Sequence, residues 1–198
     1  MPTPHGARRP PYRVRMTQAT TEGHAALLRG INVGGSRKVP MARLREVFAR
    51  IGYPGARTFI QSGNVVIDSD AAPADLVRDI ESAIADEFGR AIPVLLRTHP
   101  QLDDILAHNP FAGDDFEPSK LAVAFCAEPL PTQLREALAI PEGLPERLAI
   151  RPQELLIYYP ERMGRSKLDR SSFWKPLKGT VMTVRNWRTT GKLRDMLA

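Results

Sequence analysis

Residues 26–41 read Ala-Leu-Leu-Arg-Gly-Ile-Asn-Val-Gly-Gly-Ser-Arg-Lys-Val-Pro-Met. An apolar strand ends at Leu28, a glycine-rich turn follows, and Pro40 leads into a helix. Everything strongly polar in the stretch lies on the turn. Arg29, Asn32, Ser36, Arg37 and Lys38 stand among Gly30, Gly34 and Gly35, so backbone freedom, bare amides and positive charge meet beside a helix N-terminus, a combination that holds anions. The same glycines also serve a plain strand-to-helix turn. The spacing from Gly30 to Gly35 and Ser36 lacks the lysine that a P-loop places before its serine, which argues against a nucleoside triphosphatase.

Outward from this stretch the hydrophobic period alternates between two and 3.6. His24 to Arg29 is a buried strand, and the helix after Pro40 sets Met41, Leu44, Val47, Phe48 and Ile51 on one face before Gly52 stops it. Arg57–Gln61 and Val65–Asp68 are strands joined through Ser62-Gly63-Asn64, a hairpin signal. A second helix uses Leu76, Val77, Ile80, Ile84 and Phe88 and closes at Gly89, and Ile92–Arg97 is a fourth strand. The order strand, helix, strand, strand, helix, strand is the ferredoxin-like unit.

Thr98 and Gln101 form a capping box for a connecting helix that ends near Ala107, and a loop carrying Asp114, Asp115 and Glu117 follows. The order then repeats: a strand at Leu121–Ala127, a helix at Thr132–Ala139, a strand pair at Arg147–Arg151 and Glu154–Tyr159, a helix from Ser166 to about Lys175, a strand at Thr180–Val184 and a C-terminal helix. The predicted fold class is therefore α+β, with two ferredoxin-like halves in tandem. Their bounds are 23–97 and 120–198, with a connecting helix and loop at 98–119. Residues 1–22 are rich in Pro, Thr and Arg without a hydrophobic period and are expected to be a disordered basic arm. Arg8-Arg9 begins a twin-arginine pattern, but no apolar segment follows it, and Met16 offers a second translation start.

Leu27-Leu-Arg-Gly-Ile-Asn-Val-Gly-Gly35, Val39-Pro-Met41, Gln61-Ser-Gly-Asn64, Gly164-Arg-Ser-Lys-Leu168 and Arg185-Asn-Trp187 occur in this order. In these motifs the chain, from about residue 23 to its end, resembles the family of domains of unknown function numbered 1697. The resemblance implies two ferredoxin-like α+β halves and assigns no activity or catalytic residue. After Leu168, Ser171-Ser-Phe-Trp-Lys-Pro176 departs from the family's usual amphipathic helix, and Pro176 should shorten that helix.

Composition narrows the function classes. With 42% hydrophobic and 25% charged residues the chain reads as soluble and globular, and it has no apolar run of the roughly 20 residues a membrane span needs. The single cysteine, Cys126, permits no disulfide within the chain and points to a reducing cytoplasm. The net charge of +6 is uneven: +3 in residues 1–22, +7 in residues 161–198 and −4 between them. The basic C-terminal fifth also holds Trp174 and Trp187, so it reads either as a phosphate or nucleic-acid surface or as a solvated basic face. Trp187 could stack on a base or anchor the last helix.

In a ferredoxin-like half, strands one and two run parallel with strand three between them, so the turn after Arg29 and the hairpin at Ser62–Asn64 share one end of the sheet, about 10 Å apart. Likewise Gly164–Lys167 and Arg185–Arg188 share an end of the second half, each expected to begin a helix. Ser166 and Asp169 fit a capping box. The candidate ligand-binding residues are Arg29, Asn32, Lys38, Asn64, Arg165, Lys167, Arg185 and Asn186, for an anionic phosphate-bearing small molecule or a nucleic acid. Arg29, Asn32, Arg165 and Arg185 are expected to line a cleft between the halves. The alternative is an enzyme acting on a phosphorylated or carboxylated metabolite. His24, His99 and His108 have no metal-ligand spacing, and no metal, cofactor, membrane partner or catalytic residue is assigned.

Limited proteolysis is expected to remove about 20 N-terminal residues and leave a stable core. Early cutting between Leu44 and Val94 would count against two folded halves.

Overall fold

A computed structural model describes residues 21–32, 38–113 and 116–198. Residues 1–20 of the arm, the turn residues 33–37, and Asp114 with Asp115 lie outside the described residues. Among the described residues the fold is α+β, with two four-stranded antiparallel sheets and five α-helices. The first sheet uses β1 (Glu22–Leu28), β2 (Arg57–Phe59), β3 (Asn64–Ser69) and β4 (Val94–Thr98) in the order β2-β3-β1-β4. Helices α1 (Met41–Arg50) and α2 (Pro73–Phe88) lie between its strands in sequence, and α3 (His99–Ala107) leaves it. The second sheet uses β5 (Leu121–Cys126), β6 (Arg147–Ile150), β7 (Glu154–Tyr158) and β8 (Met182–Asn186) in the order β6-β7-β5-β8. A short α4 (Thr132–Ala137) follows β5, and α5 (Trp187–Leu197) follows β8.

Strand alternation explains the layering. Ala26, Leu28, Val65 and Ile67 pack with Leu44, Val47 and Phe48 of α1 and Leu76, Ile80 and Ile84 of α2. The opposite face, Ala25, Leu27, Val66 and Leu95, joins Val123, Phe125 and Leu156 of the second sheet in one cluster with Leu102, Ile105 and Leu193 from α3 and α5. The two sheets therefore share a core, with α3 and α5 packed into it. The far face of the second sheet, including Ala124, Leu155 and Ile157, is covered by Leu130, Leu138, Leu168, Phe173 and Leu177.

Most expected elements lie within two residues of their sequence positions. Gly89 closes α2 at φ 65°, and the capping box holds α3 through Gln101 Oε1, which accepts from the Thr98 amide at 2.9 Å. The expected helix from Ser166 to Lys175 is corrected: two 3-10 turns stand there, Leu168–Arg170 and Ser172–Trp174, after a third at Met163–Arg165. Serines divert the backbone. Ser166 Oγ accepts from the Leu168 amide at 2.9 Å and Ser171 Oγ from the Phe173 amide at 3.2 Å, local bonds that compete with helical ones. Ser166 is thus no capping-box residue for Asp169; its hydroxyl donates to Glu146. Consequently Gly164–Lys167 begins no α-helix, whereas Arg185–Arg188 begins α5 as expected.

His24 of β1 is buried, its Nδ1 has no hydrogen-bond partner among the described residues, and its Nε2 lies 3.8 Å from Glu22. Burial lowers its pKa from the usual 6.5, with Glu22 and Asp68 opposing more weakly. The unfolded chain therefore takes up a proton that the folded chain resists, and stability should fall as pH drops below about 6.5. Denaturant midpoints from pH 7 to 5 should fall less steeply in His24→Leu than in the wild type; parallel profiles would show that His24 is not the titrating group.

Candidate functional site

The hairpin and the turn after β1 meet because close packing demands it. The β2–β3 loop spans residues 60–63 between the paired Phe59 and Asn64. Gly63 takes φ 78°, and a Cβ there would lie 2.7 Å from Ile31 Cδ1 and 2.8 Å from Leu28 Cβ. Only glycine fits that approach. The Leu28 amide donates to Gly63 O at 2.8 Å, fastening the end of β1 to the hairpin.

Asn32 completes the junction in a left-handed conformation, φ 57°, that asparagine tolerates. Its Oδ1 accepts from the Val39 amide at 2.8 Å, and its Nδ2 donates to Val39 O at 3.1 Å and Gln61 O at 2.7 Å. One side chain thereby joins the turn, the approach to α1 and the hairpin. Arg29 and Lys38, on either side of it in sequence, are exposed.

Arg185 enters this junction from the other half. It is 6% exposed, and acceptors surround all three of its nitrogens. Nε donates to Asn64 Oδ1 at 2.6 Å; Nη2 donates to Leu28 O at 2.8 Å, Ser62 O at 2.9 Å and Gly63 O at 3.4 Å; Nη1 donates to Thr183 Oγ1 at 2.7 Å and Val184 O at 2.9 Å. No carboxylate among the described residues pairs with it. Burial alone pulls its pKa from 12.5 to about 10, so it remains a cation at neutral pH. Asn64, itself fully buried, is oriented by donating to Phe59 O and Ser62 Oγ. Asn186 caps α5, its Oδ1 accepting from the Thr189 amide at 2.7 Å.

Arg165 and Lys167 are exposed. Arg165 lines a cavity of about 520 Å³ with Lys120, Arg162, Glu117 and Glu161. Lys120 is already engaged by Glu117 at 2.6 Å. Arg162 is held at φ 68°, a conformation a non-glycine residue adopts at a cost of about 1–3 kcal/mol. This cavity lies beyond the start of β5 and the end of β7, while Asn186 at the end of β8 pairs with Ala122 of β5. The two motif clusters thus share one end of the second sheet without sharing a cavity wall in the described residues. Trp187 packs edge-on against Phe116 at 6.1 Å, as an anchor for α5.

Sequence reasoning missed Lys120, Arg162 and a second buried arginine. Arg97 of β4 is 3% exposed and pairs with Glu154 of β7 at 2.9 Å. It ends the apolar run Val94-Leu-Leu, the same signal that drew attention to Arg29 and Arg185. Cys126 is buried, and burial raises its thiol pKa to about 11, so it is not nucleophilic at neutral pH. Among the described residues no helix is long and apolar enough to cross a membrane, and no His, Cys, Asp and Glu group could hold a metal ion.

A family model described as "Protein of unknown function (DUF1697)" matches residues 22–156. No curated protein sequence matches the chain. Among solved structures, the conserved bacterial protein SP0830 from Streptococcus pneumoniae superposes with a TM-score of 0.69 at 24% identity, over 90% of this chain and 100% of that one, a likeness of fold.

Arg185→Met removes the donors of several buried carbonyls at once, each costing about 1–3 kcal/mol when left unpaired. A loss of roughly 3 kcal/mol or more in denaturant unfolding is expected. A loss below about 1 kcal/mol would mean that water replaces the guanidinium and that the junction does not depend on it.

Proposed function

The chain belongs to the DUF1697 family of proteins of unknown function, and we propose that it binds a phosphate-bearing anion at the rim formed by Arg29–Asn32 after β1, the β2–β3 hairpin and the start of α5. The observation that carries this reading is Arg185, a buried cation whose acceptors are neutral. An uncompensated charge in a weakly polarisable interior projects a positive potential onto nearby surface, where Arg29 and Lys38 add their own. Arg185 itself has no spare donor, so it supplies field and shape, and the exposed cations supply contacts.

We read the halves as tandem ferredoxin-like units, since each sheet has the order of the strand-helix-strand-strand-helix-strand unit. In the second half 3-10 turns replace the second long helix. A small phosphate-bearing molecule fits the rim better than a single strand of nucleic acid. Trp187 and Trp174 pack edge-on against Phe116 and Phe173 at the margins of the apolar clusters, so packing accounts for both rings without a stacking role.

Inorganic phosphate should raise the melting temperature of the wild type, by mass action on the folded state. Arg29→Met should fold normally, because Arg29 is exposed, and should lose most of that increase. An unresponsive wild type, or an undiminished response in Arg29→Met, would overturn the rim as the site. A single-stranded oligonucleotide whose affinity falls with salt at a log-log slope near −0.9 per phosphate would indicate diffuse charge contacts instead.

A further inference from the structure

The two buried arginines are the same device used twice. Arg97 is the fourth residue of β4 and Arg185 the fourth of β8. Arg97 pairs with Ala25, three residues before the end of β1, and Arg185 with Val123, three before the end of β5. Each reaches into the opposite half. Nη2 of Arg97 donates to Cys126 O, the last residue of β5, at 2.8 Å and to Gln153 O, just before β7, at 3.3 Å. Nη2 of Arg185 donates to Leu28 O, the last residue of β1, at 2.8 Å and to Gly63 O, just before β3, at 3.4 Å. Each Nη1 donates to the preceding carbonyl of its own strand, Leu96 O or Val184 O.

The backbone around them matches as well. Leu28 donates to Gly63 O and Cys126 to Gln153 O, both at 2.8 Å; Arg29 donates to Pro93 O and Ala127 to Val181 O, both at 2.9 Å. The halves therefore exchange arginines about a local pseudo-twofold axis. Two side chains break the correspondence: Thr183 Oγ1 accepts from Nη1 of Arg185 at 2.7 Å where Leu95 stands beside Arg97, and the acceptors at Nε differ in charge. Nε of Arg97 donates to Glu154, the first residue of β7, whereas Nε of Arg185 donates to Asn64, the first residue of β3. Asn64 and Glu154 also correspond in register, pairing with Leu27 and Phe125, each one residue before its strand's end.

We infer that Asn64 is the residue that makes the Arg185 end an anion site: a neutral amide stands where the other half has a carboxylate, and the guanidinium charge is left for a ligand. This rests on the phosphate reading above and names its determinant. The Arg97 end, neutralised by Glu154, has the same backbone geometry and no such charge. Asn64 is accordingly a positioning residue, which sets the field through Arg185 without touching the ligand.

The experiment compares phosphate-induced thermal shifts in the wild type, Asn64→Asp and Glu154→Gln. Asn64→Asp restores the counter-charge, and a full unit charge that close to the rim should weaken phosphate binding roughly tenfold. Its new carboxylate should also titrate below the usual aspartate value, followed by the pH dependence of stability. Glu154→Gln leaves Arg97 uncompensated, also removes the carboxylate 3.9 Å from Arg151 Nε, and should enlarge the phosphate response. It serves by itself if Asn64→Asp fails to fold, since it keeps the shape of the pair and changes only its charge. A response that survives Asn64→Asp, an introduced carboxyl that titrates above normal, or an unchanged response in Glu154→Gln overturns the inference while the rim, tested through Arg29→Met, stands. A wild type without any phosphate response overturns both.

Discussion

A guanidinium cannot be buried without acceptors, and Arg185 finds them only where the second half meets the first. Its geometric demand is severe: Nη2 must face carbonyl oxygens from the end of β1 and the β2–β3 hairpin and Nε the Asn64 side-chain oxygen, while Nη1 stays on Thr183 and Val184 of its own strand, which remains paired with β5. The hairpin can present Ser62 O and Gly63 O only because Gly63 closes onto Ile31 and Leu28 without a side chain. The turn can leave the end of β1 without obstructing that contact because Asn32 ties it to Val39 and Gln61. Turn, hairpin and distant strand end thus have one shared requirement.

The energy that joins the halves comes from elsewhere. Apolar faces of both sheets meet in one cluster, into which α3 and α5 contribute Leu102, Ile105 and Leu193, and burial of that area is the dominant favourable contribution. An apolar interface is tolerant of sliding, since hydrophobic contact has no preferred direction. Arg97 and Arg185 have direction. Lying toward opposite ends of the interface and pointing opposite ways, they fix register, because a shift by one residue would turn both away from their carbonyls. Arg97 adds a cation–π contact with Phe125 at 5.4 Å, so that end is secured by charge pairing, carbonyls and an aromatic face together.

Periodicity made the strands and the long helices legible, because their buried faces repeat every second residue or every three to four. The family motifs were legible as motifs, but their roles were not. Arg29, Arg97 and Arg185 all follow apolar runs, and the chain gives no local sign that two are buried and one exposed. The difference is position relative to the strand end: Arg97 and Arg185 are paired strand residues facing the other half, whereas Arg29 stands just past the last residue of β1. That distinction depends on register across the interface, a long-range property. The 3-10 turns after β7 were hidden for the opposite reason, since serine hydroxyls two residues from their amide partners won a local competition that hydrophobic spacing does not report.

The repeat itself is invisible residue by residue and evident bond by bond. Corresponding positions hold Leu28 and Cys126, Gly63 and Gln153, Asn64 and Glu154, which share almost no chemistry as side chains. They correspond because the device is made chiefly of backbone carbonyls, and any residue supplies a carbonyl. Side-chain identity matters at two acceptors, Thr183 at Nη1 of Arg185 and the residue at Nε, and at Nε the halves differ by a full charge. Three of the five sequence motifs, the β1 turn, the hairpin and Arg185-Asn-Trp187, converge on the end with the neutral acceptor; the end closed by Glu154 attracts none. A fold that can neutralise a buried arginine, and does so at one end, accepts an electrostatic cost at the other. Such local inconsistencies concentrate where a protein meets its ligand.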